Sequence, residues 1–365
     1  MSDPIRLARP DVGEAELAAL AEVVGTGQLT MGPKVVEFEA AIAEAVGTAH
    51  AAVVSSGTAA LHLALLALEI GPGDEVIVPA YTFPATANVV ELCGARAVLV
   101  DVDPETFNLD VAAVAAAVTP KTRAVMAVHL FGRPVEWEAL QTAVPQEVAL
   151  VEDAAGALGA SYRGTPCGAL GARRRGRACG SLGVMGCLSF HPRKIVTTGE
   201  GGAVTTDEAA LDAAVRRFRH HGWKTLGDMP GPGFNYRLPD LLCAIGIPQL
   251  ARLEELLAAR ERVAGWYEER LEHHVLTPSA AEGDRHGWQA YVVQLERRDE
   301  ALAALRDAGI EAQIGTWALH RLAPYRAQGE FPGADRAFER ALALPFATTT
   351  TEEEVGRVAA VLTAL

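Results

Sequence analysis

The sequence predicts an α/β fold in which helices cover a mostly parallel β-sheet, followed by a small α+β region at the C-terminal end. The main observation is an alternation of short, uniformly apolar runs with alanine- and leucine-rich helical patterns. Apolar strands separated by amphipathic helices are typical of parallel sheets whose two faces are both covered. The second observation is size, because 365 residues, half of them hydrophobic, can bury one large core and a smaller one.

Five strands of this sheet can be placed on the sequence. In chain order they lie in HAAVVSS (50–56), DEVIVPA (74–80), RAVLVDV (96–102), RAVMAVHL (123–130) and VALVEDA (148–154). The segments between them carry the predicted helices. We therefore expect an N-terminal segment at 1–29 and a large α/β domain at 30–249.

The C-terminal region, residues 250–365, has a different pattern. A charged helix at 250–272 is predicted to connect it to the large domain. A strand, helix, strand, helix set then follows in WQAYVVQLE, ALAALRDAGIEAQIG and EEEVGRVAAVLTAL. This order predicts a small α+β domain.

Composition argues against several classes of function. The formal net charge of −14 disfavours a general affinity for nucleic acid or an anionic membrane, since both require a basic face. The stretch MSDPIRLARP lacks the apolar segment of a signal peptide, and no apolar run is long enough to span a bilayer, so we expect a cytoplasmic protein. The five cysteines show no CxxC spacing, which predicts neither a disulfide framework nor a metal site.

Ligands of parallel sheets bind at the carboxyl ends of the strands, and the first candidate there is SSGTAAL (55–61). It places Ser56, Gly57 and Thr58 between a strand and a helix. Free backbone N–H groups and the helix dipole favour a phosphate at such a position. The alternative is an ordinary helix cap, which the same residue types also form.

The second candidate is the strand end at Glu152 and Asp153, in VALVEDAAGALGA. A buried carboxylate needs a partner, because an unpaired one is costly. A protonated heterocyclic nitrogen is one possible partner, and an ordinary structural hydrogen bond is the other.

The third candidate is Lys194, in SFHPRKIVTTGEGG, one of only four lysines in the chain. A buried amine with a lowered pKa can form a Schiff base, and the alternative is a solvated loop lysine. A phosphate cradle, an acid for a pyridinium nitrogen and a Schiff-base lysine are together the three anchors that pyridoxal 5′-phosphate (PLP) requires. The three candidates therefore predict a PLP enzyme.

The chain resembles, over nearly its whole length, the DegT/StrS-type sugar aminotransferases, which are fold-type-I PLP enzymes related to aspartate aminotransferase. The segments that carry the resemblance are, in order, GQLTMGPKVVEFE, VVSSGTAALHLAL, GPGDEVIVPAYTFPATANVV, AVLVDVDPETFNLD, AVHLFG, VEDAAGALGA, SFHPRKIVTTGEGGAVTTD, RHHG and GFNYRLPDLLCAIGIPQL. The resemblance implies a seven-stranded sheet. It also implies that Lys194 binds the cofactor covalently and moves protons, while Asp153 keeps the pyridine nitrogen protonated.

The resemblance implies further cofactor contacts. Ser56, Gly57 and Thr58 match the phosphate-binding turn, and Ser189 matches a hydroxyl on the same phosphate. Phe83 falls where the family places an aromatic ring against the cofactor.

The remaining matches concern the partner subunit and the substrate. Asn235, in GFNYR, matches a residue that reaches the phosphate of the neighbouring subunit, so a homodimer with shared active sites is implied. His320, Tyr81 and Arg237 are the positions that the resemblance places toward the sugar substrate.

The reaction implied is transamination, because relatives that remove a hydroxyl group without transamination carry histidine in place of Lys194. The amine would come from an amino acid donor, L-glutamate being the expected one, and go to the keto group of a nucleotide-linked keto-deoxysugar. Three alternatives remain open: an aminocyclitol or other cyclic ketone as substrate, a PLP-binding regulator without turnover, and a nucleotide-binding dehydrogenase. The last lacks the GxGxxG segment after a strand that it would require.

Two features depart from the family pattern. Gly156 stands where the family usually carries His or Gln, so a contact near the phenolic oxygen of the cofactor must come from water or another residue. In addition, CGALG (167–171) and CGSLG (179–183) are near-copies that flank an arginine-rich insertion at 172–178. Those arginines either clamp an anionic substrate or belong to a solvated loop.

Overall fold

The computed structural model describes residues 4–168 and 184–365, and its main feature is a seven-stranded sheet. The order of the strands across it is β1-β10-β9-β6-β5-β2-β4. Their bounds are β1 (His50–Val54), β2 (Glu75–Pro79), β4 (Arg96–Val100), β5 (Thr122–Val128), β6 (Ala149–Asp153), β9 (Met185–Ser189) and β10 (Gly202–Thr206). The arginine-rich insertion at 172–178 lies outside the described residues.

The sheet is mostly parallel. Strands β9, β6, β5, β2 and β4 pair in parallel, and β10 pairs in antiparallel fashion with β1 on one side and with β9 on the other. Because β10 alone among these strands runs the opposite way, β1 and β9 still end at the same edge as β6. The fold class predicted from the sequence is confirmed, and β9 and β10 are the two strands of this sheet that the sequence pattern did not predict.

Helices cover both faces of this sheet and continue into the C-terminal region. In chain order they are α1 (Glu14–Thr26), α2 (Pro33–Val46), α3 (Gly57–Ala67), α4 (Ala85–Leu92), α5 (Val111–Ala117), α6 (Trp137–Ala143), α7 (Ala209–Arg219), α8 (Asp240–Ala251), α9 (Leu253–Leu271), α10 (Arg298–Asp307), α11 (Pro332–Arg340) and α12 (Glu352–Thr363). Two apolar clusters lie against the sheet, one built around α3 and α4 and the other around α2 and α6. Burial on both faces is what the uniformly apolar strands require.

A third apolar cluster belongs to the C-terminal region, where α9, α10 and α12 pack on a three-stranded antiparallel sheet. That sheet has the order β11-β14-β12, with β11 (Tyr291–Gln294), β12 (Gln313–Ile314) and β14 (Ala341–Leu344). The central strand β14 was not predicted from the sequence. Ile5 also joins this cluster and pairs with Ile310. The domain boundaries at 29/30 and 249/250 stay predictions.

The remaining strands are short. Strand β3 (Tyr81–Thr82) pairs with β13 (Trp317–Ala318), and β7 (Ser161–Tyr162) pairs with β8 (Thr165–Pro166). The β3/β13 pair ties the end of β2 to the C-terminal region. None of the helices in the described ranges is long and apolar enough to cross a membrane.

Candidate active site

The candidate site lies at the edge of the sheet where β1, β6 and β9 end. Asp153 is the last residue of β6, Ser189 is the last residue of β9, and Ser56 follows β1 by two residues. Lys194 lies in the loop between β9 and β10. The sheet topology therefore brings the three predicted anchors to one edge.

Asp153 is a buried carboxylate, only 6% exposed, with two hydrogen-bond donors. The Thr86 hydroxyl donates to Oδ2 at 2.8 Å, and the Ala155 N–H donates to Oδ1 at 3.2 Å. Burial raises the pKa of Asp153, while Thr86, Ala155 and the positive charge of Lys194 act in the opposite direction. Thr86 is fully buried. Its contact with Asp153 was not predicted from the sequence, because a threonine near the start of a helix is typical of a helix cap.

Lys194 faces Asp153 closely enough for the two charges to interact. Its N–H donates to the carbonyl oxygen of His191 at 2.8 Å, which fixes the turn that carries it. Burial lowers the pKa of the Lys194 amine to about 8, with Asp153 opposing this shift and Arg260 and Arg193 adding to it. A solvated loop lysine would not show such a shift, so the geometry favours a reactive amine.

The turn after β1 begins helix α3 and is tightly packed. The Ser56 hydroxyl caps the helix by accepting from the Ala59 N–H at 3.0 Å. A Cβ atom at Gly57 would come within 2.8 Å of the Ser189 Cβ, so glycine is needed there. Within the described residues, the N–H groups of Gly57 and Thr58 have no acceptor. Ser56 therefore caps this helix end and two N–H groups beside it stay open, while a phosphate bound there stays a prediction.

Phe83 and Asn235 have exposed side chains beside these elements. The Phe83 ring is 63% exposed and follows β3, while Asn235 is exposed and pairs through its backbone with His220. The next residues run alongside the end of β1, since Ser55 donates its N–H to the Tyr236 carbonyl oxygen at 2.8 Å.

The three residues predicted to face the substrate lie in different surroundings. Tyr81 is fully buried, and its hydroxyl accepts from the Thr316 N–H at 3.1 Å. His320 is 8% exposed, and its Nε2 atom lies 2.9 Å from Oδ1 of Asp335. Arg237 is half-buried, with Nη1 2.6 Å from Nδ1 of His220. Tyr81 and His320 are thus enclosed by protein, and a contact of either with a substrate stays a prediction.

The space beside Gly156 is filled by another residue. A Cβ atom at Gly156 would lie 3.4 Å from Cγ and 3.5 Å from Oε1 of Gln289. The sequence predicts that water or another residue supplies the contact that Gly156 cannot make, and the Gln289 side chain lies at this position. Its distance in sequence from the VEDAAG segment explains why the pattern did not reveal it.

A second buried acid, Glu152, stands next to Asp153 on the same strand. Its Oε2 lies 3.0 Å from Nε2 of His129 and accepts from the Gly168 N–H at 2.6 Å. The Nδ1 atom of His129 accepts from the Val135 N–H at 3.1 Å, so Nε2 carries the proton and donates to Glu152. Glu152 therefore links β6, the end of β5 and the residue Gly168.

A lysine whose amine pKa is lowered by burial, at a sheet edge that also carries a buried carboxylate, is typical of α/β enzymes with a nucleophilic lysine, and this role of Lys194 stays a prediction. The family model of the DegT/DnrJ/EryC1/StrS aminotransferases matches residues 10–363. The chain belongs to this family and is an aminotransferase. The family and the enzyme class predicted from the sequence are thereby confirmed.

Individual relatives agree with this assignment. GDP-perosamine synthase of Caulobacter vibrioides is 41% identical over 377 residues, covering 98% of this chain and 97% of the relative. Among solved structures, Spr1654 of Streptococcus pneumoniae, named as a sugar aminotransferase and solved in its PLP form, is 28% identical with a TM-score of 0.91, covering 99% and 98% of the two chains. DesI, solved in the presence of its TDP-sugar product, is 32% identical with a TM-score of 0.90, covering 100% of this chain and 93% of DesI.

Proposed function

We propose that this protein is a PLP-dependent sugar aminotransferase that moves an amino group from L-glutamate to the keto group of a nucleotide-linked keto-deoxysugar. The observation that carries the proposal is that Lys194, whose amine pKa is lowered by burial to about 8, and the buried Asp153 carboxylate lie at the same edge of the sheet and influence each other's charge. Relatives named as a sugar-nucleotide synthase and as sugar aminotransferases support the substrate class.

The residues at this edge fit PLP. The open N–H groups of Gly57 and Thr58, with the Ser189 hydroxyl nearby, suit a phosphate, and the close approach of Gly57 to Ser189 leaves no side chain in its way. The buried Asp153 carboxylate suits a protonated ring nitrogen, and Phe83 offers an exposed ring for stacking. When bound, PLP supplies an electron sink for the negative charge that develops on the substrate carbon.

The protein groups then have separate tasks. Asp153, with its charge stabilised by the Thr86 hydroxyl and the Ala155 N–H, would keep a proton on the ring nitrogen of bound PLP. The Lys194 amine accepts a proton from the substrate carbon and returns it in both halves of the reaction, since its pKa of about 8 lies close to neutral pH. The Gln289 amide lies where it can donate to a phenolic oxygen beside Gly156.

The site as proposed is completed by a second subunit. Asn235 has an exposed side chain, which suits a contact with the phosphate of a neighbouring protomer in a homodimer. The cytoplasmic location, the homodimer and the substrate contacts of Arg237, Tyr81 and His320 stay predictions.

The test is the visible absorption spectrum of the PLP-loaded protein before and after addition of L-glutamate. We expect the absorption band of the lysine-bound cofactor to disappear with glutamate in the wild type and in Lys121→Ala, where an exposed lysine is removed. In Lys194→Ala that band should be absent. A wild-type protein that takes up no PLP would overturn the proposal.

The acceptor is tested with GDP- and TDP-linked keto-deoxysugars, followed by mass spectrometry of the amino product. Because a relative and a neighbour act with GDP- and TDP-linked sugars respectively, both nucleotides should be supplied. If glutamate is consumed but only a cyclitol ketone is aminated, the substrate part of the proposal is wrong. If no ketone is aminated and the protein only binds PLP, a regulatory role replaces it.

A further inference from the structure

Helix α9 contains a buried arginine without an acidic partner. Arg260 is 5% exposed, and no carboxylate of the described residues lies within salt-bridge distance of its guanidinium. Buried charges are normally paired, because an ion removed from water without compensation is costly. Burial accordingly lowers the pKa of Arg260 to about 10.

The guanidinium is compensated by backbone carbonyl groups instead. Nη1 donates to the carbonyl oxygens of Trp288 and Gln289 at 2.7 and 3.1 Å, and Nη2 donates to that of Lys194 at 3.3 Å. Nε is buried without a partner among the described residues. Two of the three guanidinium nitrogens are therefore satisfied by main-chain carbonyl oxygens, which ties the arginine to the backbone of those residues.

The three carbonyl groups belong to segments that surround the site. Segment 287–289 is fixed to the chain after β5, since the Gln289 N–H donates to the Phe131 carbonyl oxygen at 3.0 Å and the Gly287 N–H donates to that of Gly132 at 2.8 Å. Arg260 therefore connects helix α9, the chain after β5 and the loop that carries Lys194.

We propose that Arg260 is a positioning residue for Lys194, which holds the main chain of the lysine against segment 287–289 and keeps a positive charge beside its amine. The inference rests on the proposed function only in assigning Lys194 its catalytic task. The contacts themselves predict the effect on the loop.

The charges around the amine support this role. Asp153, at the end of β6, favours the charged amine, while Arg260 on α9 and Arg193 in the same loop disfavour it. Arg193 is exposed and bonded to Gln313 at 2.9 Å, so water screens its charge more than that of Arg260. A lysine at 260 would keep the charge, but a single ammonium cannot reproduce the planar fork that meets three carbonyl oxygens.

The experiment measures the protonation of Lys194 by competitive acetylation of the full chain, after any bound PLP has been removed, at a series of pH values. The chain has only four lysines, so mass spectrometry follows each amine separately. Hydrogen exchange at 191–198 measures the order of the loop. The variants are Arg260→Met and Arg260→Lys, and Arg262→Met is the matched control because Arg262 is exposed on the same helix.

We expect Arg260→Met to raise the midpoint for Lys194 by roughly one pH unit and to speed exchange at 191–198, with Lys121 unchanged. Arg260→Lys should speed exchange with a smaller shift of the midpoint, and it serves as the readout if Arg260→Met does not fold. Arg262→Met should change neither. Wild-type values for both measurements in the Arg260 variants would overturn the inference, even if thermal stability falls. Neither measurement needs PLP, so failure of cofactor uptake contradicts the proposed function alone.

Discussion

Glu152 and Asp153 are neighbouring acids at the end of one strand, and the structure gives them different surroundings. Successive residues of a strand point to opposite faces of the sheet, so the two carboxylates face different partners. Glu152 is bonded to the His129 ring and the Gly168 N–H, whereas Asp153 meets Thr86 and the field of Lys194. Adjacent residues of like chemistry can therefore have different roles, one structural and one reactive, according to the face of the sheet that each occupies.

The largest effect on kcat should follow from removing the negative charge of Asp153. Asp153→Asn keeps the shape but cannot hold a proton on a ring nitrogen, so we expect kcat to fall by about 10²- to 10⁴-fold. The pKa of Asp153 is higher in the native state than in the unfolded chain, so stability is lost as pH rises from the unfolded pKa to the native pKa. Asp153→Asn should therefore leave the Tm near neutral pH unchanged or higher, which thermal unfolding measures. A lower Tm together with a wild-type kcat would show that Asp153 has a structural role and no reactive one.

A substitution of Glu152 should lower stability and leave catalysis nearly unchanged. His129 and the Gly168 N–H both donate to Oε2 of Glu152, and Glu152→Gln can keep an oxygen there but removes the negative charge that strengthens both hydrogen bonds. We expect a loss of about 1–3 kcal/mol in the free energy of unfolding with kcat within a few-fold of wild type. Denaturant unfolding and steady-state kinetics together check this, and a kcat loss as large as that of Asp153→Asn would contradict it.

A smaller effect should come from Thr86→Val, which removes the hydroxyl donor to Asp153 and keeps the shape. The donor favours the ionised carboxylate, so its loss raises the pKa of Asp153 further. We expect kcat/KM to fall by about tenfold and its acidic limb to move to higher pH. Thr82→Val, in the same buried pair of hydroxyls, is the control that leaves the Asp153 contact in place. Identical pH profiles for Thr86→Val and the wild type would show that the hydroxyl does not act on Asp153.

The Lys194 amine should make stability depend on pH. Its pKa is about 8 in the native state and 10.5 as an ordinary lysine, so the unfolded chain binds more protons between these values. The cost of the buried charge is full below about pH 8 and disappears as pH rises toward 10.5. Lys194→Met should therefore have the higher Tm near neutral pH, and the difference should shrink in alkaline solution. A difference that is constant with pH would exclude the shift.

The sequence predicted the parts of the fold that are encoded locally. Strands β1, β2, β4, β5 and β6 each contain a run of apolar residues and lie where they were expected. Strand β14 begins directly after α11, and its sequence ALAL continues a helical pattern, so only pairing with β11 and β12 makes it a strand. Nonlocal pairing of this kind overrides local propensity.

The site was predictable to a similar extent. The chemistry of Asp153 and Lys194 is visible in the sequence because few residue types can supply it. Thr86 and Arg260 are ordinary in their segments, a threonine near a helix start and an arginine in a charged helix, and only their burial beside the site distinguishes them. The same holds for Tyr81 and His320, whose enclosure depends on contacts with Thr316 and Asp335 far along the chain.

The bond between Glu152 and Gly168 has a consequence for how the chain can change in length. Gly168 is held by Glu152 and by the Thr205 hydroxyl at 2.7 Å, and Val184 donates its N–H to the Leu150 carbonyl oxygen at 3.1 Å and accepts from the Thr206 hydroxyl at 2.7 Å. Gly168 and Val184, the described residues on either side of segment 169–183, are thus each bonded to the sheet before β9 begins. The bonds of Val184 to β6 and β10 set the register of the chain that leads to Ser189 and Lys194, whatever the length of chain between Gly168 and Val184.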